Sequence, residues 1–486
     1  MKLLQDLLYR VPLEATVGSL KIPVNALAFD SRKVEQGGVF IALKGTLVNG
    51  HDFLDAAIAK GAVALVVEHL PATPNPNVVW VQKSDTHQAL GLMAANYYDN
   101  PAAQLQLVGV TGTNGKTSVA SLLFALLKKC GYTSGLISTI AIEYGTVRET
   151  SSHTTPDPLS LNKHLKAMLA AGVTHCFMEV SSHGIAQGRI AGLQFAGGIF
   201  TNLTHDHLDY HGSFSNYRDV KKQFFDALPK ASFALTNKDD KNGLFMLQNT
   251  AAKKHTYALK NYADFSTQIL ESQFQGMLLK IQDVEVWTPL VGGFNAYNLL
   301  AVYACTQLLG LEHLETLQQL STLTTIDGRF QTFESPEKVI VIVDYAHTPD
   351  ALKNVLQTIN AIRTKNENLI TVIGCGGNRD VEKRPLMGNI AAQLSDKVIF
   401  TSDNPRDENP KAIIEAMLAG VAPEDHKKTL KVTDRKEAIT VAHHMSKPQD
   451  VILIAGKGHE AYQLIKGERI PFDDFQIAKT IFSNKA

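Results

Sequence analysis

The chain has 486 residues, which suits two to four domains with sizeable hydrophobic cores. Lysine plus arginine and aspartate plus glutamate each total 47, so no bulk charge favours nucleic acid or an anionic membrane. The four cysteines lie far apart without a CxxC pair, which argues against a disulfide framework or a zinc knuckle. Asp6, Arg10 and Glu14 interrupt the N-terminal apolar stretch, so it is a poor signal peptide, and no apolar run is long enough to span a membrane. We therefore expect a cytoplasmic protein.

The order of apolar and helical segments predicts an α/β protein with three domains. Residues 1–100 alternate short apolar runs with helical stretches such as 86–98, as in a small N-terminal α/β domain. Residues 101–328 begin with a β run, a glycine-rich loop and an amphipathic helix, and the same alternation continues after them. This pattern predicts a central P-loop-type, mostly parallel sheet covered on both faces. Residues 329–486 repeat the order strand, loop, helix and predict a Rossmann-like C-terminal domain.

Polar, glycine-rich clusters follow nearly every apolar β run of the second and third domains. In open α/β sheets, ligands bind in the crevice beyond the carboxyl ends of the strands. Seven such clusters in two adjacent domains are hard to explain as ordinary turns, so we expect binding sites at these edges.

The strongest single motif is "GVTGTNGKTS", residues 109–118. Its glycines free backbone N–H groups to face phosphate oxygens, Lys116 can reach the terminal phosphates, and Thr117 can offer its hydroxyl to Mg²⁺. Five residues separate Gly109 from Gly115, whereas the usual P-loop has four. A plain glycine-rich turn is the alternative, but GKT between a strand and a helix favours nucleotide binding.

Two further segments of the second domain suggest a divalent cation beside the phosphates. Glu179 ends an apolar run at a position that suits a metal ligand, although an exposed strand-end glutamate is the commoner interpretation of such a residue. The segment 201–212 concentrates imidazoles and carboxylates, namely His205, His207, His211, Asp206 and Asp209. Such a concentration is typical of a site for a hard divalent cation, and we expect one of the histidines to be a ligand.

Three loops of the third domain carry charges of both signs. Residues 374–385, 402–410 and 455–460 each follow a β run and contain Arg379, Arg406, and Lys457 with Glu460. A solvated surface charge is the commoner interpretation for each one alone. Together they suggest a zwitterionic ligand, because arginine can bind both oxygens of a carboxylate and glutamate can bind an ammonium. The third domain is therefore predicted to bind an amino acid.

The motifs "TGTNGKTS", "EVSSHG", "TNLTHDHLDYHG", "GGFNAYN", "DGRF", "VDYAHTPDAL", "GCGGNRDVEKRP", "DNPR" and "GKGHE" occur in the order found in Mur ligases, and the chain resembles that family over nearly its whole length. The resemblance implies a three-domain ATP-dependent amide ligase of peptidoglycan synthesis. Such an enzyme phosphorylates the free side-chain carboxylate of D-glutamate in UDP-N-acetylmuramoyl-L-alanyl-D-glutamate. The amine of an incoming amino acid then attacks the acyl phosphate.

The resemblance also implies roles for individual residues. ATP would be bound by Gly112, Thr113, Asn114, Gly115, Lys116, Thr117, Ser118, Asn295, Arg329, Asp344 and His347. Thr117 and Glu179 would lie near one Mg²⁺ and His207 near a second. Lys221 matches a lysine that carries a carbamate and bridges substrate and metal, although the adjacent Lys222 is an alternative assignment. The catalytic set would thus be Lys116, Glu179, His207 and Lys221.

The two remaining substrates are assigned in the same way. The nucleotide-sugar dipeptide would contact Phe29, Ser31, Thr46, His153, Thr154, Thr155, Ser181, Gln187 and Arg189. The amino acid would contact Arg379, Asp403, Asn404, Pro405, Arg406, Gly456 and Glu460. Arginine in the fourth place of "DNPR" is typical of members that add meso-diaminopimelate, because it holds the distal carboxylate that L-lysine lacks. We therefore expect meso-diaminopimelate as the substrate and a monomeric enzyme.

Four alternatives stay open at this point. The first is the same ligase acting on L-lysine, and the second is a sister ligase such as another Mur enzyme or a folylpolyglutamate synthetase. The third is a P-loop motor or kinase, for which we find no coupling elements. The fourth is a nucleotide-gated binding protein that has lost its chemistry, which intact Lys116, Glu179, His207 and Lys221 argue against.

Overall fold

The structure is a computed structural model that describes residues 2–45, 48–151 and 153–483. The predicted contact Thr46 lies outside the described residues. In the described part of the chain, no helix is both long and apolar enough to cross a lipid bilayer.

The first unit is built on a five-stranded sheet in the described residues, with strand order β2-β7-β6-β5-β4. All neighbours in this sheet are parallel except β2 and β7, and β1 pairs separately with β3. Its elements are β1 (Lys2–Leu3), α1 (Leu4–Leu7), β2 (Ala15–Val17), β3 (Pro23–Val24), β4 (Leu27–Ala28), β5 (Val39–Ile41), α2 (Leu54–Ala59), β6 (Ala64–Val67), β7 (Val79–Gln82) and α3 (Thr86–Tyr97).

The second unit contains a sheet of eleven described strands in the order β11-β10-β9-β12-β8-β13-β14-β15-β16-β17-β18. The strands are β8 (Gln106–Thr111), β9 (Ser134–Ile137), β10 (Ala141–Tyr144), β11 (Val147–Thr150), β12 (His175–Glu179), β13 (Gly197–Phe200), β14 (Phe233–Asn237), β15 (Lys253–Ala258), β16 (Phe265–Gln273), β17 (Gly276–Ile281) and β18 (Val284–Thr288). The helices are α4 (Lys116–Lys129), α5 (Pro158–Ala170), α6 (Ser182–Ala186), α7 (Leu208–His211), α8 (Phe214–Asp226), α9 (Gly243–Met246), α10 (Gly293–Leu308) and α11 (His313–Leu320).

The centre of this sheet is parallel from β9 to β16, and antiparallel strands β10–β11 and β17–β18 extend its two edges. Alternate residues of β12 enter different cores: Phe177 packs with the α4 side chains, and Cys176 and Met178 pack on the opposite face. A parallel sheet covered on both faces must be apolar on both, which explains the continuous apolar runs of its strands. The predicted mostly parallel, doubly covered sheet is confirmed.

The third unit has six described strands in the order β19-β20-β24-β21-β22-β23, all parallel except the edge strand β19, and a separate hairpin β25–β26. The elements are β19 (Gln331–Glu334), β20 (Ile340–Asp344), α12 (Pro349–Ile362), β21 (Leu369–Ile373), α13 (Lys383–Leu394), β22 (Lys397–Phe400), α14 (Pro410–Leu418), β23 (Thr429–Lys431), α15 (Arg435–Met445), β24 (Val451–Ala455), β25 (Tyr462–Ile465), β26 (Glu468–Pro471) and α16 (Asp474–Ser483). The domain boundaries near 100 and 328 stay predictions.

Strand register places the predicted loops at common sheet edges. In the third unit, Asp344 pairs with Ala455, Ala455 with Ile373, and Ile373 with Phe400, so four strands end in one row. In the second unit, Glu179 pairs with Val110 beside the end of β8. The loops that leave these strands are therefore neighbours, as the sequence predicts.

Candidate active site

The loop between β8 and α4 is packed closely against two other elements of the second unit. Gly112 and Gly115 have φ of +151° and +86°, values that L side chains rarely adopt. A Cβ at Gly112 would lie 2.0 Å from Oγ1 of Thr201, and one at Gly115 would lie 2.7 Å from Oδ1 of Asn298. Glycine is required at both positions, because the backbone must be free to turn and to approach its neighbours.

Lys116, the first residue of α4, is folded back over this loop. Its Nζ donates to the carbonyl oxygens of Gly112 and Thr113 at 2.9 and 2.7 Å. Burial lowers the pKa of Lys116, and the nearby carboxylates of Glu179 and Asp206 oppose that shift. The loop thus carries a cation at the point where a nucleotide-binding loop meets terminal phosphates.

Residues of the third unit reach this loop directly. Nη2 of Arg329 donates to the hydroxyl of Thr117 at 3.1 Å. Nδ2 of Asn114 donates to Oδ2 of Asp350, in the first turn of α12, at 3.2 Å. The second contact joins residues 236 positions apart and was not predicted, because no sequence pattern reports a contact between domains.

Glu179 is buried at the end of β12, with 1 % of its surface exposed. Its Oε1 accepts a hydrogen bond from the backbone N–H of Thr139 at 2.7 Å, and it forms no ion pair with any described residue. No group of three or more His, Cys, Asp and Glu side chains among the described residues is arranged to hold a metal ion. The predicted metal set contains two such residues, Glu179 and His207, beside the Thr117 hydroxyl and the carbamate of Lys221. A buried carboxylate that forms no ion pair with a described residue fits a hard cation that takes its other ligands from phosphate.

The three histidines of the segment 201–212 differ in their contacts. His207 has φ +55° and lies with its Nε2 3.4 Å from Oδ2 of Asp206, while burial lowers its pKa to about 4. His205 stacks on Phe214 with ring centroids 6.2 Å apart. His211 is buried and tilted against Tyr217. His207 is therefore the histidine of this segment held beside a carboxylate, as a neutral imidazole that can ligate a metal.

Contacts distinguish Lys221 from its neighbour Lys222 on α8. Lys221 is 1 % exposed, and its Nζ donates to the Gly112 carbonyl at 2.9 Å. Burial, together with the like charge of Lys116, holds the pKa of Lys221 well below its ordinary value. Lys222 forms an ion pair with Asp226 instead, at 2.6 Å. Lys221 thus lies at the loop between β8 and α4, residues 112–115 (the nucleotide loop), whereas Lys222 does not.

A cavity of about 620 Å³ lies between the second and third units, beside the nucleotide loop. Its walls include the predicted Asn114, Gly115, Ser118, Arg329, Asp344 and His347. Asn298 lines it as well, whereas Asn295 does not; the Asn295 amide donates to the Val291 carbonyl and accepts from Asn298. Burial raises the pKa of Asp344 to about 6, and its Oδ2 accepts from the backbone of Phe330. Nucleotide-binding residues predicted in two different domains thus line one cavity between them.

The residues predicted to hold the nucleotide-sugar divide into two groups. Thr155 bonds Ser181 at 3.0 Å, and its carbonyl accepts from Nη1 of Arg189 at 2.6 Å. Both Nε and Nη2 of Arg189 donate to Oε1 of Gln187, while Thr154 accepts from Thr139. Burial, with a smaller effect of Arg189, lowers the pKa of His153. No hydrogen bond between described residues links Phe29 or Ser31, in the first unit, to this group.

The residues predicted to hold an amino acid meet at the edge of the third sheet. Nδ2 of Asn404 donates to Oε2 of Glu460 at 2.7 Å. A Cβ at Gly456 would lie 2.6 Å from Oδ2 of Asp403, and one at Gly377 would lie 2.0 Å from the carbonyl oxygen of Pro405. These close approaches bring the three loops together at one place.

Arg406 is half-buried in this cluster and has φ +52°. Its Nη1 donates to the Gly377 carbonyl at 2.7 Å. Burial and the nearby exposed Arg379 lower its pKa, whereas Asp403 and Glu460 oppose the shift. Charges of both signs therefore share one site, as expected for a zwitterionic ligand.

Models of three protein families match the chain: the Mur ligase family catalytic domain over residues 23–98, the Mur ligase middle domain over 110–306, and the Mur ligase glutamate ligase domain over 328–458. The chain is 53% identical over 481 residues to a UDP-N-acetylmuramoyl-L-alanyl-D-glutamate--2,6-diaminopimelate ligase of Cytophaga hutchinsonii, covering 98% of each chain. It is 51% identical to the ligase of the same name from Phocaeicola vulgatus, covering 99% of this chain and 100% of the relative.

A solved structure of a ligase of that name matches with a TM-score of 0.70 and 32% identity, covering 99% of this chain and 98% of the other. MurF ligase of Thermotoga maritima in complex with ADP shares the fold, with a TM-score of 0.61 at 19% identity, over 94% of this chain and 97% of that one. The predicted resemblance is confirmed. The chain belongs to the Mur ligase family.

Proposed function

We propose that the chain is an ATP-dependent ligase that adds meso-2,6-diaminopimelate to UDP-N-acetylmuramoyl-L-alanyl-D-glutamate, a step in building the precursor of the bacterial cell wall. The cluster of Arg406, Asp403, Asn404 and Glu460 at one sheet edge carries the proposal. Relatives at about half identity over almost the full length bear the name of this ligase, which supports it. The enzyme would work as a monomer in the cytoplasm, where ATP is supplied.

The reaction starts with phosphoryl transfer from ATP. A carboxylate oxygen of the D-glutamate side chain attacks the γ-phosphorus, the bond from that phosphorus to the β,γ-bridging oxygen breaks, and ADP leaves. The product is an acyl phosphate, which gives the poor electrophile a leaving group. Lys116 and Arg329 would stabilise charge on the transferring phosphoryl group, and their hydrogen bonds to Gly112 and Thr117 support these roles. Thr117 and Glu179 would hold one Mg²⁺ and His207 a second, and these ions neutralise phosphate charge when bound.

The second step joins the amino acid. Its neutral amine attacks the acyl carbon, inorganic phosphate leaves, and the nitrogen loses a proton as the amide forms. The third-unit loops would hold the amino acid through Arg379, Asp403, Asn404, Pro405, Arg406, Gly456 and Glu460, so that the amine is already oriented when the acyl phosphate forms.

Lys221 would act as a carbamate. Its depressed pKa favours the neutral amine, which is the form that adds to CO₂ with loss of a proton. The product is an anion in place of a cation. That inversion would remove the like-charge contact with Lys116 and supply a carboxylate-like ligand beside it.

The distal carboxylate of meso-diaminopimelate would pair with Arg406. L-lysine has no group to pair with this half-buried guanidinium and would bring its distal ammonium to it. Leaving a buried polar group unpaired can cost a substrate on the order of 10⁴-fold in favourable cases. Arg406 would therefore select the substrate.

The test is phosphate release from ATP in the presence of UDP-N-acetylmuramoyl-L-alanyl-D-glutamate, with meso-diaminopimelate, L-lysine, L-ornithine or no amino acid. We expect release with meso-diaminopimelate alone. Release with lysine instead would keep the ligase and overturn the account of Arg406. No amino-acid-dependent release would reject the proposal and favour a sister ligase or a binding protein without this chemistry.

A further inference from the structure

The ammonium of Lys457 is fully buried, with 0 % of the side chain exposed, in the loop that follows β24. The sequence suggested that it faces the ligand with the other charges of these loops. In the structure, its Nζ donates instead to Oδ1 of Asn404 at 3.1 Å and to Oε2 of Glu460 at 3.0 Å. Both acceptors belong to the proposed amino-acid site, whereas Lys457 has no exposed surface with which to contact a ligand.

Two glycines hold Lys457 in this orientation. Gly456 has φ +115°, and a Cβ there would lie 2.6 Å from Oδ2 of Asp403. Gly458 has φ +51°, and a Cβ there would lie 2.6 Å from the Gly328 carbonyl oxygen. The backbone on each side of Lys457 is therefore pressed against another loop. The close contacts of Gly456 and Gly458 therefore fix where the Lys457 side chain enters the protein, next to Asn404.

The two oxygens of Glu460 differ in their partners. Oε2 accepts from both Lys457 and Asn404, at 3.0 and 2.7 Å. Oε1 accepts no hydrogen bond from the described residues, and the Glu460 side chain remains 18 % exposed. One oxygen is thus fixed by the protein, and the other can receive a donor from outside it.

The amide of Asn404 is fixed in the same network. Its Oδ1 accepts from Lys457 and from the backbone N–H of Leu464 in β25, and its Nδ2 donates to Glu460. Lys457 therefore connects the loop after β22 to the loop after β24. Hydrogen bonds shared among several side chains restrict the movement of each, and loss of Lys457 removes one donor from Asn404 and one from Glu460.

We infer that Lys457 is a positioning residue of the amino-acid site, which fixes one oxygen of Glu460 and leaves the other to bind an ammonium group of the amino-acid substrate. The inference rests on the proposed function. It assigns Lys457 no contact with the substrate, so its removal acts through Glu460 and Asn404. A purely structural ion pair would lower stability without a selective effect on one substrate.

The test compares the variants Lys457→Met, Glu460→Gln and their combination in the full-length chain. We expect Lys457→Met to raise the KM for the amino acid about tenfold or more, because a charge-assisted hydrogen bond is lost and, among the described residues, only the Asn404 amide then holds Oε2 of Glu460 in place. The KM for ATP should change less than about twofold. In the Glu460→Gln background, Lys457→Met should add little to the KM, because the group it positions has already lost its charge.

Arg363→Met is the matched control for loss of an ion pair in the same unit. Arg363 pairs with Asp396 near the start of β21, at the opposite edge of the sheet. The Arg363→Met variant should have a lower melting temperature than wild type and an unchanged KM for the amino acid. If Lys457→Met is too unstable to assay, Lys457→Gln keeps a hydrogen-bond donor and should show a smaller rise in the same KM.

The inference is overturned if Lys457→Met raises the KM values of amino acid and ATP equally, or if its effect adds fully to that of Glu460→Gln. A wild-type enzyme that uses L-lysine would contradict the proposed substrate, yet the KM for lysine would test Lys457 in the same way. A wild type without amino-acid-dependent phosphate release would reject both the proposed function and the amino-acid site on which Lys457 is placed.

Discussion

The guanidinium of Arg329 donates to the hydroxyl of Thr117 at 3.1 Å, while its Cζ lies 4.5 Å from the ring centroid of Tyr345. Arg329, a residue of the third unit, thus contacts the first turn of α4 in the second unit and stacks on an aromatic ring of its own unit. The planar group serves both contacts at once, which a lysine ammonium does not reproduce.

We expect Arg329→Lys to lower kcat/KM for ATP about tenfold or more, because the stacked, hydrogen-bonded guanidinium is lost from the edge of the phosphate loop. Initial rates at varied ATP concentrations measure the effect. Arg363→Lys, a change of the same kind at the far edge of the third sheet, should leave kcat/KM for ATP within about twofold. Similar losses in both variants would contradict the assignment.

Lys221→Arg is expected to abolish amide formation, since a guanidinium stays protonated and forms no carbamate. Lys222→Arg should keep most of the activity, because its ion pair with Asp226 can form again. Labelling with ¹³CO₂ provides a second measurement, in which a carbamate carbon signal should be seen in wild type and in Lys222→Arg only. A signal that persists in Lys221→Arg would show that another amine carries the modification.

Arg406→Ala should raise the KM for meso-diaminopimelate on the order of 100-fold, because the half-buried partner of a carboxylate is removed. The preference for meso-diaminopimelate over L-lysine should shrink with it. The control is Arg469→Ala, which removes an exposed arginine from the hairpin strand β26. If the ratio of kcat/KM values for the two amino acids is unchanged in Arg406→Ala, Arg406 does not determine substrate specificity.

Gly456→Ala and Gly467→Ala form a matched pair. Both glycines have positive φ, +115° and +84°, so alanine introduces backbone strain at each. Only at Gly456 does the new Cβ also collide, at 2.6 Å from Oδ2 of Asp403; at Gly467 nothing lies within 4 Å. We expect both variants to melt earlier and only Gly456→Ala to lose affinity for the amino acid. Equal KM values for the amino acid in the two variants would show that the contact between the new Cβ and Asp403 has no effect beyond backbone strain.

The stability of the ligand-free protein should fall as the pH drops below about 6.5. Burial lowers the pKa of His211 to about 4 and that of His459 to about 3. Unfolded histidines take up protons near pH 6.5, so between that pH and the folded values the unfolded chain binds more protons and is favoured. Asp344, with a pKa raised to about 6, acts in the opposite direction as a single group.

Melting temperatures at pH 7 and pH 5, in the absence of nucleotide and Mg²⁺, measure this effect. The variant His211→Gln lacks one of the imidazoles whose pKa burial lowers, and its decrease in melting temperature between the two pH values should be smaller than that of wild type. An equal decrease in both proteins would exclude His211 as a source of the pH dependence.

Sequence patterns predicted those parts of the site that consist of consecutive residues. The apolar run before residues 112–118 and the helix after them define a strand, a loop and α4 by periodicity alone, and the structure confirms this order. The antiparallel edge strands β10–β11 and β17–β18, and the neighbouring strand β16, were not predicted. They are solvated on part of their surface, and their alternation is too short and mixed to distinguish from loops.

Contacts between distant residues could not be predicted in this way. Lys221 and Lys222 are the same residue type at adjacent positions, and only the path of α8 past Gly112 distinguishes them. Asn295 and Asn298 lie one helical turn apart, and the packing of α10 decides which of them lines the cavity. The sequence predicted that the charge of Lys457 faces a ligand, whereas in the structure the side chain is buried and bonded to Asn404.

The row of strand ends formed by Asp344, Ala455, Ile373 and Phe400 has a consequence for how such a chain can diversify. The loops after β21, β22 and β24 hold the proposed amino-acid contacts, and none of those contacts lines the nucleotide cavity. Substitutions confined to these three loops can therefore change the accepted amine while the phosphate loop stays as it is. Selection on substrate choice and selection on phosphoryl transfer act on separate parts of one molecule.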